Sequence, residues 1–149
     1  MKISTKGRYG LQALLDLAIY GQNDYISLKS VAERQGMSDN YLEQLFASLK
    51  KNGLVESTRG AQGGYRLSKD ASEITVKQVL NALEGPLALV DCIIEGNEHD
   101  CDRYECCVTR VLWQKIMDKL DEVTDSVSLA DLVECHKVTK TNTGLEYYI

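Results

Sequence analysis

Two short apolar-periodic segments, a glycine turn between them and a glycine-rich basic hairpin after them leave this chain few possible folds. Ser27 suits the N-cap of a helix carrying Leu28, Val31 and Ala32. Gly36-Met37-Ser38 breaks the pattern, and Ser38 caps a second helix that runs to Asn52-Gly53. The apolar face of that helix is Tyr41, Leu42, Leu45, Phe46 and Leu49. Its other face is Asn40, Glu43, Gln44, Ala47, Ser48, Lys50 and Lys51. Two short helices across a glycine turn are the helix-turn-helix pattern. Leu54-Val55-Glu56-Ser57 then reads as a strand, with Tyr65-Arg66-Leu67 as its partner. Between them Thr58-Arg59-Gly60-Ala61-Gln62-Gly63-Gly64 forms a tip whose glycines allow positive φ and close approach to another surface. A basic hairpin in that position is a wing.

The flanking segments extend this module. Leu11, Leu14, Leu15, Ala18 and Ile19 recur at the spacing of one helix face, and Gly21 with Asn23-Asp24 ends that helix. Thr75 to Leu83 gives another amphipathic helix, with Val76, Val79, Leu80 and Leu83 expected to be buried. The only proline, Pro86, follows Gly85 and marks a stop. Beyond it, residues 87–107 hold four cysteines and six acids with weak periodicity. Val108, Val111, Leu112, Ile116, Leu120 and Val123 then form a long stripe, with Trp113 and Met117 beside it. That stripe exceeds what the small module can cover, so antiparallel pairing with a second copy is the economical expectation. Ser128-Leu129-Ala130-Asp131 reads as the capped start of a short last helix, followed by a polar, mobile tail.

Charge first argues against nucleic acid as a partner and then for it. The 149 residues carry 17 Lys+Arg and 22 Asp+Glu, a formal net of −5. Residues 1–70 hold ten of those bases and seven of the acids, a net of +3. The remainder carries −8. Such asymmetry suggests a basic part that faces phosphate and an acidic part with another task. Random scatter of surface charge would look similar, so position matters more than the sum. No apolar run reaches the roughly 18 residues that a membrane span needs. Met1 to Lys6 lacks the apolar core of a signal peptide. The expectation is a cytoplasmic protein with no membrane partner, whose five cysteines serve as thiols or metal ligands.

A recognition helix in a major groove needs short or amide side chains near its N-terminus to reach base edges. Asn40, Glu43 and Gln44 lie on the exposed face there. Lys6, Lys50 and Lys51 are placed as phosphate anchors, which give affinity without sequence information. Arg59 at the wing tip can enter a minor groove or hold phosphate. A helix face of this composition alone is equally an ordinary solvated surface. The wing decides, because a hairpin that merely builds core has no use for Arg59 beside a glycine.

Cys92, Cys101, Cys106 and Cys107 fall within 16 residues among acids, a poor setting for core cysteines. No C-x-x-C pair exists, so a zinc ribbon matches weakly. Adjacent Cys106 and Cys107 do not easily ligate one metal together. On spacing alone an iron–sulfur cluster, a zinc site and a thiol switch all remain open. Cys135-His136 lacks an orienting acid or an oxyanion site, so it reads as a helix-end pair.

Three motifs resemble the Rrf-two family of bacterial winged-helix regulators. They are Met1-Lys2-Ile3-Ser4-Thr5-Lys6-Gly7-Arg8-Tyr9-Gly10, Tyr41-Leu42-Glu43-Gln44-Leu45, and Arg59-Gly60 through Gly63-Gly64-Tyr65. The resemblance implies a homodimer, paired through its long C-terminal helix on a near-palindromic double-stranded DNA operator. It implies DNA-facing roles for Lys6, Tyr9, Ser38, Asn40, Tyr41, Glu43, Gln44, Lys50, Arg59, Gly60, Gly63 and Tyr65. Cys107-Val108-Thr109-Arg110-Val111-Leu112-Trp113 is similar to the segment carrying the third cluster cysteine of IscR-like members. On that likeness Cys92, Cys101 and Cys107 ligate a [2Fe–2S] cluster. Arg110 stands where those members place a histidine, which leaves His99, Cys106 or a residue of the other subunit as fourth ligand. The Cys92 to Cys101 spacing is also wider than theirs. The termini look more like CymR-type cysteine-metabolism repressors, which lack the cysteine cluster. The final Tyr147-Tyr148-Ile149 resembles a peptide that docks into cysteine synthase, with Tyr148 and Ile149 as the contact. A free carboxylate beside an apolar side chain suits an amino-acid pocket.

The expected fold is mainly α: a winged helix-turn-helix DNA-binding domain with a two-stranded wing, plus a long C-terminal dimerisation helix. The expected divisions are 1–85 for the DNA-binding domain and 86–107 for the cluster loop. Residues 108–138 make the dimerisation and short terminal helices, and 139–149 the flexible tail. The function so read is a transcriptional regulator, a repressor rather than an enzyme. It would govern iron–sulfur biogenesis or cysteine metabolism. A thiol redox or nitric-oxide sensor is the remaining alternative.

Overall fold

The computed structural model describes residues 2–22, 24–97 and 101–146, with side chains to residue 142. Six helices and one two-stranded sheet follow in the order α1 (Thr5–Gly21), α2 (Leu28–Gln35), α3 (Asp39–Lys51), β1 (Val55–Thr58), β2 (Gly64–Leu67), α4 (Val76–Glu84), α5 (Val108–Ser126) and α6 (Leu129–Glu146). The local signals account for most boundaries. Ser27 accepts from the Ser30 N–H, and Ser38 accepts from the Tyr41 N–H, both at 3.3 Å. Gly36 closes α2 at φ +64°, the left-handed conformation that glycine adopts without strain. Thr75 and Gln78 form a reciprocal capping box on α4. The strands pair antiparallel, from Val55 opposite Leu67 to Thr58 opposite Gly64.

One core joins these elements. Leu14 and Leu17 of α1, Val31 of α2, Leu42, Leu45, Phe46 and Leu49 of α3, and Val79 and Leu83 of α4 are all buried. Close packing of α1 on α4 depends on Gly10. A Cβ there would lie 2.3 Å from Leu83 Cδ1. The buried stripe of α1 therefore runs through Gly7, Gly10, Ala13, Leu14 and Leu17. Leu15, Ala18 and Ile19, expected on that stripe, are only half-buried. The cause is that α1 is apolar on several sides, so periodicity alone could not single out the side α4 approaches. Val76, expected to be buried on α4, is likewise half-buried.

Leu129 belongs to the same core and is fully buried. Its N–H donates to the Ile74 carbonyl at 2.9 Å, and the Val76 N–H donates to the Val127 carbonyl at 2.9 Å. The α5–α6 connection is thus stitched to the segment before α4. A cut at residue 85 would remove a core side chain from the winged module.

The C-terminal part leaves the surplus of apolar side chains uncovered, as its stripe predicts, and its last helix is longer than expected. The α5 stripe points outward: Val108, Val111, Leu112, Ile116 and Val123 are exposed, whereas Met117 is buried against the body. The last helix is not short, because α6 continues through Glu146. Residues 139–144 look like loop by composition. Yet Thr139 and Thr141 return their hydroxyls to the Cys135 and Lys137 carbonyls at 2.9 Å, which accommodates them in a helix. Tyr147, Tyr148 and Ile149 lie outside the described residues. No described helix is long and apolar enough to cross a membrane.

Candidate nucleic-acid interface and cysteine loop

The exposed face of α3 begins at its N-terminus. Asn40, Glu43 and Gln44 are exposed there, and Tyr41 is half-buried. The Tyr41 ring meets Tyr9 edge-on at 6.4 Å, which ties α1 to the base of this face. Arg8 lies 5.9 Å from the Tyr9 ring. The entry to α1 is fixed from a distance. Ser4 donates to Glu84 Oε1 through its N–H at 2.8 Å and its hydroxyl at 2.7 Å. That bond holds the basic N-terminus, with exposed Lys2 and Lys6, against the end of α4. Glu84 was not singled out by sequence, because its partner lies 80 residues away.

The wing is held by α3 on one side and by the entry to α2 on the other. Lys50 Nζ donates to Ser57 Oγ at 2.6 Å. Ile26 and Tyr65 exchange backbone hydrogen bonds at 2.8 Å in both directions. A Cβ on Gly64 would sit 2.2 Å from the Ile26 carbonyl oxygen, so that approach requires glycine. Arg59 and Gly60 are exposed at the tip, and Gly60 has φ +110°. Gly63 is half-buried near the tip's own backbone.

Two residues expected to face DNA have other attachments. The Tyr65 ring packs on Phe46 at 5.0 Å, so it anchors the wing to the core. The Ser38 hydroxyl caps α3. Arg66 on β2 is hydrogen-bonded to Glu56 and stacked 4.6 Å from the Tyr25 ring. The Glu56 bond raises the Arg66 pKa and holds its side chain on the flank of the wing. Sequence reading also missed the pairing of Asp16. This carboxylate is 2% exposed and accepts from Arg34 Nε and Nη2 and from Gln35 Nε2. A carboxylate inside an apolar helix was the available signal, since it must find a partner there.

The cysteine loop is arranged differently. Cys92 lies in a 3-10 turn, Asp91–Ile93, that packs against α5, and is half-buried, as is Cys101. Cys106 ends a second 3-10 turn, Tyr104–Cys106, and its thiol donates to the Arg103 carbonyl at 3.6 Å. Cys107 is the N-cap of α5, with Sγ 3.3 Å from Thr109 Oγ1. The Thr109 hydroxyl, then the Arg110 backbone N–H, lower the Cys107 pKa, and the Arg110 charge adds to this. A helix N-terminus favours the thiolate for the same reason. The neighbouring thiols thus differ: Cys106 donates to a carbonyl, whereas the pKa of Cys107 is lowered.

Thiolates suit iron, and three of the loop's cysteines are at least half-buried. Among the described residues, however, no three Cys, His, Asp or Glu side chains converge closely enough to hold a metal. The donor chemistry fits an iron–sulfur group, and the arrangement does not yet assemble one. Arg110 is no ligand, because a guanidinium offers no lone pair. It stacks on the Tyr104 ring at 4.1 Å. His99 lies outside the described residues.

Comparison with known proteins agrees with this geometry. Residues 3–135 match the Rrf2 family model, described as "Iron-dependent Transcriptional regulator". The HTH-type transcriptional regulator IscR of Photorhabdus laumondii is 43% identical over 138 residues, 93% of this chain and 82% of that one. IscR of Serratia proteamaculans is 42% identical over 133 residues, covering 89% and 79%. Among solved structures, CymR, the global cysteine regulator of B. subtilis, superposes with a TM-score of 0.73 at 41% identity, over 90% of this chain and 97% of that one. IscR of T. potens gives 0.73 at 43% identity, over 91% and 88%. These relatives are named as regulators and not as enzymes. With its recognition helix, tied wing and long terminal helices, the chain belongs to the Rrf2 family of winged-helix, DNA-binding transcriptional regulators, of the IscR and CymR type.

Proposed function

We propose that the protein is a homodimeric repressor reporting iron–sulfur status to DNA. Cys92, Cys101 and Cys107 would hold a [2Fe–2S] cluster, which supplies a group that can be gained, lost or oxidised. The observation that carries this reading is Cys107. It is the N-cap of the proposed pairing helix and also the cysteine whose pKa is lowered. A change at that sulfur therefore acts on the N-terminus of α5, whose exposed apolar stripe is the natural seat of a second copy. In the DNA-facing surface, Asn40, Glu43 and Gln44 read base edges. Lys6, Lys50 and Arg59 hold phosphate or the minor groove, while Tyr9 and Tyr41 support the helix.

Anaerobic spectroscopy with iron and sulfide quantitation tests the cluster. The wild type should be coloured, with iron and sulfide in equal amounts. Cys107→Ser should be colourless, and Cys106→Ser should keep the colour. A colourless wild type after anaerobic reconstitution would overturn the proposal.

A second reading is favoured by the 41% identity to CymR, named a global cysteine regulator. On it, Tyr148 and Ile149 dock into a cysteine synthase, which serves as co-regulator. Deleting Ile149 should then abolish complex formation without changing the melting temperature. Unchanged binding would remove this reading.

A further inference from the structure

A cavity of about 350 Å³ opens between α1, the end of α2 and α6, lined by none of the residues assigned to the DNA face or the cysteine loop. Its size is at the low end of small-molecule sites, which run roughly 300–1,000 Å³. Leu15 and Ile19 give it one apolar wall. Its floor is the buried Asp16 carboxylate, whose two oxygens already accept from Arg34 and Gln35. The Arg34 bonds to Asp16 use Nε and Nη2, and its side chain remains 32% exposed. Across the cavity, His136 Nε2 is buried and meets no hydrogen-bond partner among the described residues. A buried polar atom without a partner is costly, and native proteins rarely keep one without a reason. The surroundings are cationic. The Arg34 guanidinium lies 4.4 Å from the Tyr20 ring, and Lys140 Nζ lies 6.0 Å from the same ring. Arg34 and the unsatisfied imidazole thus line the cavity beside a carboxylate that is already satisfied, with Lys140 near its Tyr20 edge.

We propose that this cavity is a binding site for a small carboxylate carrying a short branched apolar group. The carboxylate takes its hydrogen bonds from His136 and the unengaged part of Arg34. The apolar group rests on Leu15 and Ile19. A cation of the same shape is disfavoured, because it would meet the Arg34 guanidinium. The ligand touches α6 and the last two residues of α2 together, directly before the Gly36 turn into α3. This site does not depend on whether the cysteines bind a cluster.

The test is a two-dimensional NMR titration of the full-length protein with isovalerate, and in parallel with isoamylamine. Isovalerate should give saturable shifts at the His136 imidazole and the Arg34 side chain, and isoamylamine none. Gln12 is exposed at the cavity rim, so Gln12→Glu adds a negative charge there without touching the core. That variant should weaken isovalerate at least tenfold, as should His136→Ala, with unchanged melting for Gln12→Glu. Shifts that do not saturate, equal response to the amine, or unchanged affinity in Gln12→Glu would overturn the proposal.

Discussion

The winged module and the C-terminal segment treat their apolar and polar groups in opposite ways. In the module, Phe46, Leu42 and Leu49 are fully buried, and the wing is tied by Lys50, Tyr65 and the Ile26 backbone. Even its distant ends are joined, through Ser4 and Glu84. On α5, five large apolar residues stand exposed, and the neighbouring loop's thiols do not converge. The first region is complete within one chain. The second, among the described residues, leaves apolar side chains exposed and its thiols apart. A reader of DNA must hold its shape, whereas a sensor must have a second state to move to. The division of charge follows the same line, with +3 on residues 1–70 and −8 beyond.

The comparison can be broken most forcefully on α5. Ile116→Asp should give a monomer by sedimentation and reduce operator affinity at least a hundredfold, with helix content retained. A dimer that survives would show that the exposed stripe is not the pairing surface.

Within the module, Asp16→Ala should cost about 2–4 kcal/mol in denaturant unfolding, because it leaves Arg34 and Gln35 without their buried acceptor. Loss below about 1 kcal/mol would mean that the tie between α1 and α2 is dispensable.

Smaller effects separate reading from holding. Gln44→Ala should cost about 1–3 kcal/mol on the operator and little on random DNA. Arg59→Ala should weaken both and lower the salt slope by about one. Equal loss from Gln44→Ala on both DNAs would reassign base readout.

The smallest effect is at the start of α6. Ser128 donates to Asp131 through its hydroxyl and N–H, and these bonds lower the Asp131 pKa. Its folded pKa is below its unfolded value. The cap therefore contributes fully above the ordinary carboxylate range and is lost as pH falls through the folded value. Asp131→Asn should remove that acid-side slope and lower stability slightly at neutral pH, with no difference in strong acid.

Much of the module was legible because its signals are local. Ser27, Ser38 and Thr75 each sit next to the N–H groups they cap. The wing glycines mark a backbone that no side chain would fit. What escaped was contact between remote residues, such as Glu84 with Ser4, or Asp16 with Arg34. The α1 face was misjudged because its apolar residues surround the helix. The end of α6 was misjudged because threonines that favour loops also bond back to helix carbonyls. In the cysteine loop, spacing named the donors but could not state which thiol has its pKa lowered. The Thr109 hydroxyl and the α5 N-terminus make that distinction, in favour of Cys107.

We propose that the cysteine loop controls the DNA reader. An anaerobic operator titration of the cluster-loaded protein, repeated after chelator stripping, tests it directly. The account predicts operator affinities that differ at least tenfold between the two forms, with random-DNA affinity unchanged. Equal operator affinity in both forms would contradict it.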